Sequence, residues 1–183
     1  MSQRYEIVDG VYVGPKEYDG NMRLVGRGVV SLGGLEIVRR GWLDLTDEVG
    51  FTDLGNLREV HGDMYLAGTS ISSLGNVQFI AGELTLNRTA RLSTLGGLLE
   101  ALSIHMDGSG IQCLGKLESS SALYLSREHY YSYDELASIL STLEKARVAD
   151  LSQYLYDPRY SHAIFQKVIM KTINQNTQQK EVP

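Results

Sequence analysis

The sequence predicts an α/β repeat solenoid, with a single parallel β-sheet of about six short strands between an N-terminal hairpin cap and a C-terminal helical cap. Two observations predict the coil: Leu-Gly dipeptides recur about every 20 residues, and an apolar-x-apolar triplet recurs at the same interval. A third, the different composition of the flanking segments, predicts the caps. A unit this short cannot bury its own apolar face, so neighbouring copies must stack and share a core.

The two recurring motifs place the corners and the strands. The dipeptides are Leu32-Gly33, Leu54-Gly55, Leu74-Gly75, Leu95-Gly96 and Leu114-Gly115. The triplets are Met22/Leu24, Leu43/Leu45, Met64/Leu66, Leu84/Leu86, Ile104/Met106 and Leu123/Leu125. Alternation within a triplet is typical of a half-buried strand. In the clearest copy we expect Met64, Leu66, Ile71 and Leu74 to point inward, with Val77 or Ile80 closing the back of the coil.

Glycines accompany both motifs. One set precedes the strands, and the other follows the Leu of each dipeptide; the first set is Gly20, Gly41, Gly62 and Gly82. We expect both sets to turn corners, because glycine tolerates the positive φ that corners often require.

The segments on either side of the repeats predict caps, which a solenoid needs at its ends. At the front, Tyr5 to Val13 reads as two short strands around Asp9-Gly10, a hairpin signal. At the back, a capping box at Ser132 to Glu135 and helical apolar spacing predict helices at about 133–148 and 161–174. The predicted divisions are a capping segment at 1–19, the solenoid at 20–126, the helical cap at 127–174 and a disordered polar tail at 175–183.

The spacing Leu-x-Leu-x-x-Thr-x-Ile-x-x-Leu resembles the leucine-rich repeat over roughly residues 20–126. The position that is Asn in that family carries Thr69, Thr89 and Ser109, with Arg27 and Glu48 in the earlier copies. The resemblance therefore extends to two solenoids, an irregular leucine-rich repeat of about 20-residue units or a right-handed coil similar to the receptor L domain. Both imply one parallel sheet along one side of the coil.

Bulk composition bears on partners and location. The net charge of −5 and pI near 5.4 give no global attraction for nucleic acid or an anionic membrane. No stretch approaches the length of a membrane span, and the first residues lack the apolar run of a signal peptide. Cys113 is the single cysteine, so no intrachain disulfide is available. We expect a cytoplasmic protein that binds neither nucleic acid nor membrane.

The residue between the two inward positions of each triplet points outward, onto the face that leucine-rich repeats use for binding. The outward residues expected to bind a protein partner are Arg23, Trp42, Asp44, Asp63, Tyr65, Glu83, His105, Asp107 and Tyr124. Trp and Tyr dominate interface hot spots, and the carboxylates predict a partner with a basic surface. The alternative is that the aromatic residues simply suit strands and the charges form a solvated face.

Signatures of catalysis are weak in this sequence. Asp63 and Glu83 fall on neighbouring strands and superficially resemble the carboxylate pair of a retaining glycosidase, although an acidic pair on a binding face is the preferred reading. The four His residues show no metal-binding spacing. Cys113 is expected in a small, partly buried role at its corner rather than as a nucleophile. We therefore predict no catalytic residue, metal or cofactor.

These features leave three hypotheses for function. The leading one is a non-catalytic protein-interaction module that binds its partner through the sheet face. The others are a small phage or mobile-element inhibitor of a host defence complex, suggested by small size and mild acidity, and a carbohydrate-active solenoid that uses Asp63 and Glu83. Six tyrosines of the C-terminal part predict either a homodimer contact or packing of the cap, namely Tyr130, Tyr131, Tyr133, Tyr154, Tyr156 and Tyr160.

Overall fold

A computed structural model of the chain describes residues 4–111 and 113–124. These residues form a parallel β-solenoid of about five turns. Its strands are β1 (Glu6–Val8), β2 (Val11–Val13), β3 (Glu17–Asp19), β4 (Met22–Arg23), β5 (Ile37–Arg39), β6 (Leu43–Asp44), β7 (Glu59–Val60), β8 (Met64–Tyr65), β9 (Phe79–Thr85), β10 (Glu100–His105) and β11 (Ala122–Tyr124). This part contains no helix; the helical cap, the polar tail and the six-tyrosine contact all lie outside the described residues.

The predicted sheet of triplet strands is present. β4, β6, β8, the second half of β9, the second half of β10, and β11 pair in parallel, in the order of the coils. We call these six strands the triplet ladder. Its register places corresponding triplet residues side by side: Met22 lies opposite Leu43, and Leu43 opposite Met64. The repeat spacing therefore predicted both the strands and their register.

The parallel sheet has nine strands rather than the six predicted, because a second ladder runs beside the first. β3, β5, β7 and the first halves of β9 and β10 also pair in parallel. We call them the second ladder. The two ladders join in β9 and β10, each of which is long enough to belong to both, and together they make one nine-stranded sheet. Each coil consequently presents two sheet faces to solvent.

A third side of the coil is held by isolated bridges and side-chain caps. Parallel bridges join Ser31 to Asp53 and Thr94 to Cys113. In each copy the residue before the Leu-Gly dipeptide accepts a hydrogen bond from the glycine N–H; these acceptors are Ser31, Asp53, Ser73, Thr94 and Cys113. Cys113 is exposed, so the prediction that it is partly buried is wrong. Its Sγ accepts the Gly115 N–H at 3.3 Å, which gives it a capping role.

The core is a continuous column of apolar side chains inside the coil. In the clearest copy the four expected inward residues are all at most 1% exposed, and they are joined by both Val77 and Ile80; the four are Met64, Leu66, Ile71 and Leu74. Burying one such side chain contributes roughly 1.5–3 kcal/mol. Each coil is thus stabilised by about six inward residues rather than four.

Glycine occupies the two sets of positions for different physical reasons. Those after the Leu of each dipeptide have φ between 51° and 61°, as expected. Among those before the strands, only Gly20 has a positive φ; Gly41, Gly62 and Gly82 are instead required by close stacking. A Cβ on Gly62 would lie 2.8 Å from the carbonyl carbon of Gly41 in the preceding coil. The expected positive φ is therefore wrong for these three.

Hydroxyl groups close the turn where the leucine-rich repeat has Asn. Thr69 and Thr89 are buried, and each donates its hydroxyl to the carbonyl three residues earlier, at 2.7 Å and 2.6 Å. Glu48 is also buried at this position and accepts the Arg27 N–H of the preceding coil at 2.9 Å. The polar side chains at Thr69, Thr89 and Glu48 are thus satisfied locally, by bonds to the backbone.

The N-terminal hairpin forms as predicted. β1 and β2 pair antiparallel around Asp9 and Gly10, whose φ values of 49° and 78° are both positive, as in a type I′ turn. β2 pairs with the first coil through the Tyr12 N–H, which donates to the Ser31 carbonyl at 3.1 Å. The Tyr12 side chain is 3% exposed and stacks on Tyr5. The hairpin therefore covers the beginning of the core.

Candidate protein-binding face

The outward residues of the triplet ladder form one continuous surface, which we call the triplet face. Its middle row is set by the strand register and runs Arg23, Asp44, Tyr65, Thr85, His105 and Tyr124. The row before it contains Asn21, Trp42, Asp63, Glu83 and Ser103, because alternate residues of a strand point to the same side. Eight of the nine predicted site residues lie in these two rows, and Asp107 lies in the row that follows.

An acidic and aromatic cluster occupies the centre of the triplet face. The hydroxyl of Tyr65 donates to Asp63 Oδ2 at 2.9 Å, and the backbone N–H of Glu83 donates to Asp63 Oδ1 at 2.9 Å. Thr85 donates its hydroxyl to Glu83 Oε1 at 2.8 Å. The Asp63 carboxylate therefore joins its own coil to the backbone of the next, and both carboxylates act as acceptors.

The electrostatic character of this centre is visible in Tyr65. The pKa of Tyr65 is raised to about 12, mainly by partial burial and secondly by the hydrogen bond to Asp63. The negative charges of Asp63, Glu83 and Asp44 add to the shift. Three carboxylates on consecutive coils thus act on a single phenol, so the centre of the triplet face has a negative potential that favours a cation.

The Asp63 carboxylate is already engaged by the protein itself. Both of its oxygens accept hydrogen bonds, one from a backbone N–H and one from a phenol. These bonds hold Asp63 as an acceptor and neighbour of Glu83 within the face. These bonds explain the arrangement of Asp63 and Glu83 by a structural and electrostatic role. No glycosidase activity is needed to account for it.

The N-terminal end of the face is more open. Arg23 and Asp44 form a loose ion pair at 3.8 Å, with the Arg23 side chain 70% exposed and the Asp44 side chain 17% exposed. Trp42 is half-buried, and its backbone N–H donates to Asn21 Oδ1 at 3.3 Å. An aromatic side chain and an exposed cation therefore flank the acidic centre on this side.

The C-terminal end of the face is an aromatic stack. His105 and Tyr124 lie face to face, with ring centroids 4.1 Å apart and an interplanar angle of 17°. His105 Nε2 also lies 3.4 Å from Glu83 Oε2. One row further, the Asp107 N–H donates to Asn87 Oδ1 of the preceding coil. His105 thus contacts both Tyr124 and Glu83, whereas Asp107 is held separately by the preceding coil.

On the outward face of the second ladder, most charged side chains are paired with one another. Its first coils carry close ion pairs: Lys16 and Arg58 with Glu36, Arg39 with Glu17, Arg40 with Asp19, and His61 with Glu59. Hydrogen bonds from these basic side chains lower the pKa values of three carboxylates, Glu17, Asp19 and Glu36. By contrast, no Lys or Arg forms a salt bridge with Asp63 or Glu83 within residues 4–111 and 113–124.

Some contributors to the face were not among the predicted site residues. Thr85 and Asn21 position Glu83 and Trp42 through hydrogen bonds. Their position in the outward rows follows from the repeat, so the repeat spacing could have predicted that they belong to the face. The ion pair between Asp47 and Arg88, at 2.9 Å, spans two coils and had no signal in the sequence.

The described part of the chain has neither a metal-binding cluster nor a membrane-spanning helix. No three His, Cys, Asp or Glu side chains lie together there in a way that could hold a metal ion. The same part has no helix with the length and apolarity needed to cross a membrane. No protein-family model, curated protein or solved structure matches the chain. Functional inference therefore rests on the geometry of the triplet face.

Proposed function

We propose that this protein is a non-catalytic interaction module that binds a protein partner with a basic surface through the triplet face. The observation that carries the proposal is the acidic centre of Asp63 and Glu83 around Tyr65, whose carboxylates accept hydrogen bonds but have no Lys or Arg salt bridge among the described residues. A partner cation would supply the missing counter-charge.

The contrast between the two sheet faces supports this choice of surface. On the second ladder, basic side chains of the chain itself neutralise the carboxylates. In the first coils of that ladder most of the charge is therefore balanced within the protein. On the triplet face the charge is available, and complementary charges across an interface steer association and select the partner.

Aromatic residues along the same face supply the apolar part of the interface. Trp42, Tyr65 and Tyr124 lie on different coils and are each partly exposed. Truncating an anchor of this type typically costs 2 kcal/mol or more of binding free energy, roughly a thirtyfold loss of affinity. We expect these three residues to dominate binding and the carboxylates to set its salt dependence.

The test is a capture experiment with the full chain. The unmodified protein, a Trp42→Ala/Tyr65→Ala/Tyr124→Ala variant and a Phe79→Ala control would each be immobilised and exposed to a lysate of the cells that produce the protein. Phe79 is a partly exposed aromatic residue of the second ladder, so its truncation matches the chemistry on the other face. Proteins retained by the parent and the control but lost by the triple variant are the expected result.

The opposite result is equally clear. If the triple variant has the circular dichroism spectrum of the parent and retains the same proteins, the triplet face is not the binding surface. The carbohydrate hypothesis has less support, since both oxygens of Asp63 already accept hydrogen bonds within the face. A cytoplasmic location belongs to the same proposal, and the exposed, unpaired thiol of Cys113 favours a reducing compartment.

A further inference from the structure

We infer that His105 makes the triplet face sensitive to pH, because its protonation places a cation of the chain itself beside Glu83 and weakens binding of a basic partner. The inference rests on the proposed function and adds its regulation. Imidazole is the side chain that ordinarily takes up a proton between about pH 5 and pH 8. The charge of the triplet face therefore changes within the physiological range.

The two oxygens of the Glu83 carboxylate have different neighbours. Oε1 accepts the Thr85 hydroxyl at 2.8 Å, which holds the carboxylate within its own coil. Oε2 faces the next coil, where His105 Nε2 lies 3.4 Å away. A hydrogen bond from a charged nitrogen to a carboxylate is about 2.7–2.9 Å long, so a small rotation of the protonated ring closes the pair. Within the described part of the chain, no Lys or Arg forms a salt bridge with this carboxylate.

The other described neighbours of His105 admit a charged ring. On the following coil the imidazole stacks on Tyr124, with ring centroids 4.1 Å apart, and the face of a Tyr ring attracts a cation. Asp107 lies two residues further along the chain, a separation of about 6.6 Å in a strand, and adds a second negative charge. The His105 side chain is 31% exposed, so its proton exchanges directly with solvent.

Protonation of His105 changes the charge that a partner meets. Asp63 lies in the same row as Glu83, one coil earlier, and its oxygens accept hydrogen bonds from uncharged donors. While His105 is neutral, both carboxylates are available to partner cations. Once His105 is charged, Glu83 has a cation of its own. Since an exposed ion pair contributes up to about fivefold to an equilibrium constant, binding should weaken by up to that factor.

A second His–Glu pair provides a matched control on the other face. His61 Nε2 lies 2.9 Å from Glu59 Oε2, and both side chains are 36% exposed. The two residues are two positions apart in one coil of the second ladder, so protonation there leaves the triplet face unchanged. The test compares the full unmodified chain with its His105→Gln and His61→Gln variants, because Gln is polar but carries no charge at any pH.

The first measurement is an NMR titration from about pH 8 to about pH 5.5. The His105 ring signal is the one, among those of the four His residues, that the His105→Gln substitution removes. We expect the Glu83 carboxyl carbon to shift with the same midpoint as this ring, in the unmodified chain and in His61→Gln. In His105→Gln it should stay nearly unchanged, because carboxylates ordinarily titrate below this interval. A Glu83 signal that does not follow the ring, or that responds equally in His105→Gln, would overturn the inference.

The second measurement connects this charge to binding. Proteins captured from the lysate at about pH 7.5 would be washed at about pH 5.5, and their rates of release compared. We expect release from the unmodified chain and from His61→Gln to be up to about fivefold faster than from His105→Gln. The partner's own titration is the same in all three, so the difference isolates His105. Equal release from all three would overturn the inference and leave the proposed function standing.

Failure of the proposed function gives a different result. If the Trp42→Ala/Tyr65→Ala/Tyr124→Ala variant retains the captured proteins, the triplet face is not their binding surface, whatever the pH. The NMR titration needs no partner, so it decides the pairing of His105 with Glu83 by itself.

Discussion

The stacked glycines before the triplet strands make a sharp prediction about stability. A methyl group added at Gly62 would collide with the carbonyl oxygen of Gly41, lie 2.8 Å from its carbonyl carbon and lie 3.4 Å from the backbone nitrogen of Trp42. Carbon atoms in contact are normally 3.5–4.0 Å apart, so the coils must separate locally by about 1 Å. The obstructing atoms are backbone, which cannot rotate away.

We expect Gly62→Ala to lower the free energy of unfolding by about 1–3 kcal/mol, the usual cost of overpacking. With a urea m-value of about 1–3 kcal/mol/M, the midpoint of unfolding should fall by roughly 1 M. Trp42 is the only Trp of the chain, and it lies beside the substituted position, so its fluorescence can follow the transition. Far-UV circular dichroism would report the coil as a whole.

Gly97→Ala is the matched control. Gly97 has no positive φ, and a Cβ there would meet no atom within 4 Å. The substitution should leave the midpoint unchanged or raise it slightly, because Ala restricts the unfolded chain. If both variants unfold at the same urea concentration, close stacking is not the reason for glycine at position 62, and the account of this row is refuted.

Three further predictions follow from single contacts. Thr89→Val removes the buried hydroxyl that donates to the Leu86 carbonyl and should cost about 0.5–1.5 kcal/mol in urea unfolding; an unchanged midpoint would show that the hydroxyl is dispensable. Arg88 has a φ of 62°, so Arg88→Gly should gain about 0.5–1 kcal/mol despite losing the exposed pair with Asp47, whereas Arg88→Ala, which keeps the strain, should lose stability. The pKa of Tyr12 is raised from 10.0 to about 12, mainly by burial and secondly by the neighbouring Tyr18 and Tyr5. The folded state therefore favours the protonated phenol, and the stability that this contributes below pH 10 should be lost between pH 10 and 12. Unfolding midpoints over that interval should fall less steeply in Tyr12→Phe; equal slopes would contradict the assignment.

The coil itself was predictable because its signal is local and repeated. Alternation within each triplet fixes which side chains point inward, and the regular spacing fixes which strands become neighbours. Met64, Leu66 and Ile71 are buried as expected. The hairpin was predictable for the same reason, since Asp9-Gly10 is a local turn signal. Composition and spacing alone therefore gave the solenoid, one of its ladders and its N-terminal cap.

The second ladder was missed because its strands carry little periodic signal. Most of them bear one fully inward residue, such as Val38, Val60 or Ile80, and one inward position cannot show alternation. The outward neighbours vary between charged and apolar types, as Glu59 and Phe79 illustrate. Pairing with the adjacent coil, rather than pattern within the segment, makes these residues strands.

The sequence by itself determined which residues of the triplets face solvent, and so named most of the candidate face. Only the tertiary structure decided which charges on it are satisfied. Stacking brings together residues about 20 positions apart, and it joins Asp47 to Arg88 across 41 positions. The contact of Asp63 with the Glu83 N–H depends on how the two adjacent coils stack, and its contact with Tyr65 depends on side-chain geometry within one coil. The availability of that acidic centre is a property of the stacked coil, because a carboxylate is neutralised or left open by what the neighbouring coil places beside it.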